Sequence, residues 1–221
     1  MKLYHGSKRI VETPIYKGSN KDNDYGPAFY LTSDLDSAKE WACRNNSVGF
    51  VNEFSIDLDG LKVLDLTDKN KWSVINWIAI LVHFRYLEPN FRKTYSKSLK
   101  FLEDKYYIDI EQYDVVIGFR ADDAYFRFPL DFISNQITIN QLEYVYTLGN
   151  LGIQHVLISE KAIKSLKYKK SYLAENGYVD RYFQNVKRCT KTYDELSKEE
   201  YGERLIDLVK KNDLSGRWLL S

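Results

Sequence analysis

Strand-like and helix-like segments succeed one another along this chain without regular alternation. That order excludes a doubly wound parallel sheet, which needs a helix after nearly every strand, and points to an α+β fold. KLYHGS (2–7) and AFYLT (28–32) are short apolar and aromatic runs of strand character, separated by a polar loop that includes ETPIYKGSNKDNDYGP (12–27). A loop of that length is expected to be functional or mobile.

Further along, SDLDSAKEWACRN (33–45) reads as a helix capped by Ser33 or Asp34, with Asp36 near its positive end. Leu35, Ala38, Trp41 and Ala42 form its apolar face. FVNEFSIDL and LKVLDL alternate around Asp59 and Gly60, the pattern of a hairpin or close turn between strands. Residues 70–87 read as a buried helix, 88–105 as a basic, interrupted insertion or loop, and YDVVIGF (113–119) as a central strand. Thr138 and Gln141 have capping-box spacing ahead of a helix that stops at Gly149. IQHVLIS and KSLKYKKSYL resume strand character, and the chain turns helical again from about 178, with a second capping box at Ser197 and Glu200.

The 221 residues, 44% hydrophobic, suffice for one substantial core with an appended subdomain. With 32 Lys and Arg against 31 Asp and Glu, no global field demands nucleic acid or an anionic membrane. The two cysteines, Cys43 and Cys189, have neither disulfide-framework nor zinc-site spacing, and the N-terminus lacks the pattern of a secretory leader, so a cytoplasmic protein is expected. The longest apolar run, VINWIAILVHF (74–84), is about half a membrane span, and no membrane association is expected. Dinucleotide, phosphate-loop, zinc-protease and serine-hydrolase motifs are absent, and no metal site is expected.

LYHGS (3–7) sets a histidine in a strand directly before glycine. His5 offers one donor and one acceptor nitrogen, suited to a pair of hydroxyls, and an open glycine backbone at Gly6 can present N–H and C=O to a carboxamide. The alternative is a satisfied structural histidine before a turn.

LYHGS, NDYGPAFYLTSDLDSAKEWA, YDVVIGFRADDAYF and LGIQHVLISEKAIKSLKY, in that order, resemble a poorly characterised bacterial family within the ADP-ribosyltransferase superfamily. The resemblance covers residues 1–172, taken as a catalytic domain, with 173–221 as a helical C-terminal extension. It implies a split, mostly antiparallel β-sheet with flanking helices and an NAD cleft, as in the diphtheria-toxin and poly(ADP-ribose) polymerase branch. His5 and Tyr30 match that branch's histidine and tyrosine, and Gln154 stands where many relatives have glutamate. The implied ligand set is His5, Gly6, Ser7, Tyr25, Phe29, Tyr30 and Arg120, with Tyr30 stacking on nicotinamide, Tyr25 covering its other face and Arg120 on the pyrophosphate or paired with an adjacent aspartate.

Glutamine can orient a ribose hydroxyl, but it lacks the charge that opposes a developing oxocarbenium ion. Asp122, Asp123 and Glu143 are therefore candidates for a supplementary acid, Asp123 first, with turn capping the alternative for the two aspartates. The implied activity is NAD-dependent transfer of ADP-ribose to a protein or nucleic acid, as in a bacterial toxin with an antitoxin partner or an anti-phage effector. The alternatives are a non-catalytic NAD or ADP-ribose binding module and an NAD glycohydrolase. Phe91, Tyr95 and Phe101 among Arg92, Lys93, Lys97 and Lys100 form either a nucleic-acid surface or a solvated helix face.

Overall fold

The structure, a computed structural model, describes residues 1–44, 48–121, 126–148, 152–174, 177–196, 198 and 201–217. In chain order the elements are β1 (Lys2–Ser7), β2 (Phe29–Thr32), α1 (Leu35–Cys43), β3 (Gly49–Ile56), β4 (Val63–Asp65), α2 (Val74–Phe84), α3 (Pro89–Thr94), α4 (Ser96–Tyr106), β5 (Val115–Phe119), α5 (Arg127–Ile133), α6 (Ile139–Leu148), β6 (Ile153–Leu157), α7 (Glu160–Ser165), β7 (Leu166–Ala174), α8 (Tyr178–Leu196) and α9 (Leu205–Arg217). The fold is α+β. The strands form one mixed sheet in the order β4-β5-β6-β2-β1-β3-β7, in which β4 and β5 run parallel and the other neighbours antiparallel.

The turn at Asp59–Gly60 forms, with Gly60 at φ 74° and the Leu61 N–H donating to the Leu58 carbonyl at 3.0 Å. Of the two expected alternatives, a hairpin or a close turn, it is the close turn that the chain adopts. β3 lies between β1 and β7, whereas β4 is the edge strand beside β5. Asp114 draws β4 away, because its carboxylate accepts the Lys62 N–H and its own N–H donates to the Lys62 carbonyl, each at 2.8 Å. That leaves β5 one strand in from the edge rather than at the centre.

α2 is apolar all round and accordingly buried, with Trp77, Ile78, Ile80 and Leu81 essentially inaccessible. Ser73 and Asn76 close a capping box at its start. His83 lies on its exposed side and stacks on Tyr107, centroids 4.5 Å apart. The basic stretch after it is helical, as α3 with Pro89 in its first turn and α4, because Leu102 is buried in the same core as α2. Thr138 and Gln141 form their capping box, the backbone N–H of each hydrogen-bonded to the other's side-chain oxygen. Gly149, Ser197 and Glu200 lie outside the described residues.

Residue alternation assigns the two sheet faces. Leu3, Phe29, Leu31, Phe54, Val115 and Leu157 pack on one face, and Val116 and Val156 join α2, α4, α5 and α6 on the other. α1 rests on β1 and β3, where Gly6 and Gly49 admit its backbone: a Cβ at Gly6 would overlap the Ala38 carbonyl, and one at Gly49 the Ala42 carbonyl. α8 then clamps α1 through Arg181, 2.7 Å from Asp36 and 3.3 Å from Glu40. Among the described residues no helix is long and apolar enough to cross a membrane.

Candidate functional site

β1 and β2 are in register at one pair, Tyr4 with Thr32, whereas β1 and β3 stay in register over six. A cleft of about 350 Å³ opens where that short ladder gives out. Tyr4, His5 and Gly6 border it from β1, Tyr30 to Thr32 from β2, Ser37, Ala38 and Trp41 from α1, and Gln154 from β6.

Pairing explains how Gln154 reaches the cleft. Tyr4 opposes Thr32, Thr32 opposes Gln154, and Gln154 opposes Gly118, so these four lie in one row across four strands and share a face. Tyr30, two residues from Thr32, shares that face, and His155 is turned to the opposite one and buried.

The His5 Nδ1 lies 2.8 Å from the Tyr30 carbonyl oxygen, which only accepts, so Nδ1 carries the proton. In the neutral ring Nε2 is then an acceptor. Burial lowers the imidazole's proton affinity, opposed by the hydrogen bond to Tyr30, and the ring packs on Phe29 with centroids 4.5 Å apart. Gly6 lines the cleft, but the close approach of the α1 backbone is what requires a glycine there.

Tyr30 is held by its hydroxyl, which donates to the Gly26 carbonyl at 2.6 Å and accepts the Tyr25 N–H at 3.2 Å. Burial raises its proton affinity, so the phenol stays neutral. Tyr25 does not cover the cleft. It is 1% exposed and fills the space that Gly118 leaves open, donating to the Phe119 carbonyl at 2.8 Å.

Ser7 and Phe29 line a neighbouring hollow of about 490 Å³ that meets the cleft at His5, Ser19 and Tyr30. Ser7 is tied there by Asn52, a fully buried amide whose Nδ2 donates to the Ser7 hydroxyl at 2.9 Å and to the His5 carbonyl at 3.1 Å. Asp122 and Asp123 lie outside the described residues, and Glu143 is exposed on α6.

Several cleft residues carry no signature in the sequence. Arg44 is one of them, and it stacks on Trp41 at 4.6 Å, as Arg120 does. Trp41 is 41% exposed, turned toward the cleft instead of into an apolar helix face. Arg85 lies over Phe126 and 3.7 Å from Asp24. Asp24 is 6% exposed, accepts the Ala121 N–H at 2.8 Å, and lies 3.4 Å from the Gln154 Nε2. Arg44, Arg85 and Arg120 thus border the cleft together with Asp24, a grouping suited to an anionic ligand.

A family model described as "Protein of unknown function (DUF3990)" matches residues 1–168. No curated protein and no solved structure matches the chain.

Proposed function

The chain belongs to the DUF3990 family, described as of unknown function, and from the cleft itself we propose that it is an NAD-dependent ADP-ribosyltransferase that transfers ADP-ribose to a macromolecular acceptor. The observation that carries this reading is that His5, Tyr30 and Gln154, far apart in the sequence, border one hollow, with the His5 ring on the Phe29 side of the seam. The volume lies in the roughly 300–1,000 Å³ range of small-molecule sites. On this reading the sheet, with its seam between β1 and β2, is of the split ADP-ribosyltransferase type.

The His5 Nε2 accepts a ribose hydroxyl, and the Tyr30 ring flanks the nicotinamide. Arg44, Arg85 and Arg120 oppose the charge of the diphosphate. In the transfer the bond from the ribose C1′ to the nicotinamide nitrogen breaks, its electron pair leaves with nicotinamide, and the acceptor bonds to C1′ and gives up a proton. The Gln154 Oε1, buried and without a hydrogen-bond partner among the described residues, is an acceptor suited to the ribose 2′-hydroxyl.

The test incubates the protein with NAD radiolabelled in its adenylate phosphate and with cell extract, following nicotinamide release and label on protein and nucleic acid separately. Nicotinamide release with labelled macromolecule is expected. Release of free ADP-ribose alone would make the protein a glycohydrolase. Binding of NAD without release would make it a recognition module.

A further inference from the structure

Among the described residues that border the cleft the carboxylate is Asp24, one side chain back from Gln154, and the fold shows how it comes to be there. Gly118 ends the cross-strand row next to Gln154, and its missing side chain admits the Tyr25 ring. Once Tyr25 is anchored on the Phe119 carbonyl, its chain neighbour Asp24 is carried to the end of β5, where it accepts the Ala121 N–H at 2.8 Å. From there Asp24 Oδ2 lies 3.4 Å from the Gln154 Nε2, a long contact but one of fixed sense.

A carboxylate only accepts, so the amide must turn its N–H₂ toward Asp24 and its carbonyl oxygen away. That oxygen is the Oε1 that is buried beside the cleft and has no hydrogen-bond partner among the described residues. A glutamine in isolation has no such preference, since its two ends differ little in shape.

We propose that Asp24 is the positioning residue for Gln154: it fixes the amide with its N–H₂ on the carboxylate and its oxygen on the other side and, through the hydrogen-bonded N–H, lends that oxygen part of its negative charge. The role rests on the transferase reading for its consequence, because a fixed, polarised oxygen at the ribose would oppose the positive charge that develops as the glycosidic bond opens. Asp24 and Gln154 together would then do what one glutamate does elsewhere, with the charge set one side chain back from the sugar. Arg85, 3.7 Å from Asp24 Oδ1, holds the carboxylate from its other side.

Two measurements test this. The first is the side-chain ¹H–¹⁵N signal pair of Gln154, assigned by its loss in Gln154→Ala. In the wild-type protein one of the two protons is expected downfield, as for an amide bonded to a carboxylate, and in Asp24→Ala, which removes the acceptor, that shift is expected to vanish. An unshifted pair in the wild type overturns the proposal without reliance on any variant's folding.

The second is turnover. Asp24→Asn keeps an acceptor oxygen for the Ala121 N–H and is expected to lower kcat on the order of 10- to 100-fold, the scale of losing an outer-shell partner, with KM for NAD changed little. Asp24→Ala, which removes the acceptor as well as the charge, is expected to lower kcat at least as far as Asp24→Asn. A kcat unchanged from wild type in both variants, with both folded, overturns the proposal. A wild type that shows the shifted signal and consumes no NAD would sink the transferase reading and leave the orientation of Gln154 by Asp24 standing.

Discussion

The Tyr25 hydroxyl occupies the place where a side chain at Gly118 would begin, and it donates to the Phe119 carbonyl one residue further along β5. The fit joins the long loop between β1 and β2 to a strand that pairs with neither. It fixes the loop along one wall of the cleft, where Asp24 and Tyr30 are placed.

Tyr25→Phe should therefore destabilise the protein by about 1–2 kcal/mol, because the Phe119 carbonyl loses a buried donor. Gly118→Ala should cost more, about 2–3 kcal/mol, because the ring must be displaced from a packed site. Urea unfolding midpoints check both. A Gly118→Ala midpoint equal to wild type would mean that the ring does not pack there.

Gly6→Ala should lose about 3 kcal/mol or more, since the new Cβ meets the α1 backbone and not a yielding side chain. Gly60 is the control. A Cβ there would find nothing within 4 Å, and only the left-handed φ of 74° opposes it, so Gly60→Ala should cost about 1 kcal/mol. If the two substitutions proved equal, the close approach of α1 to β1 would be refuted.

What the sequence reveals, and what it hides, follows from the range of the interactions involved. α2 and the Thr138–Gln141 box are legible because an all-round apolar run and a three-residue spacing are local signals. The pairing of β4 is hidden, since the backbone and carboxylate of Asp114 capture Lys62 from some fifty residues away and defeat the nearby turn signal. Gly6 shows as a glycine that something must approach, but the approaching group is a helix, and no local pattern distinguishes a helix from a ligand. Asp24 looks like any aspartate in a polar turn until Tyr25 finds its place under Gly118. Trp41 scores as core by helical periodicity, and only its stacking with two arginines explains its exposure.

Acid should weaken the protein in two separate windows. Burial lowers the proton affinity of His5 and His155 below the ordinary value of 6.5. Above 6.5 both rings are neutral in the folded and the unfolded chain and contribute no pH dependence. As pH falls below 6.5 the unfolded chain takes up protons that the folded one refuses, so stability declines until the folded rings titrate too. Asp36, held down by Arg181, and Asp114, held down by Ser159, act later: their contribution is lost as pH falls below the ordinary 3.8. Denaturant unfolding between pH 7.5 and roughly 4.5 covers the histidine window, with Glu40, whose carboxyl burial raises above the ordinary 4.5, opposing the decline in its lower part. His5→Asn and His155→Asn should each flatten the slope there, and an unchanged slope in both would assign the dependence elsewhere.

The arginines around Trp41 make the ligand's charge testable apart from its turnover. Arg120 and Arg44 each stack on the indole at 4.6 Å, which holds two planar cations at the cleft. A diphosphate carries the charge that attracts them, whereas nicotinamide does not. Arg120→Ala should therefore weaken ADP-ribose on the order of 10- to 100-fold, the size of a charge-assisted hydrogen bond or two, and leave nicotinamide nearly unchanged. Trp41→Ala should weaken ADP-ribose by a smaller factor, because the guanidinium groups remain but lose their common platform. ADP-ribose binding should also fall as salt rises, and less steeply in Arg120→Ala than in the wild type. Calorimetric titration with each ligand measures all three effects. An equal loss for nicotinamide and ADP-ribose in Arg120→Ala would mean that this arginine shapes the cleft and does not read a phosphate.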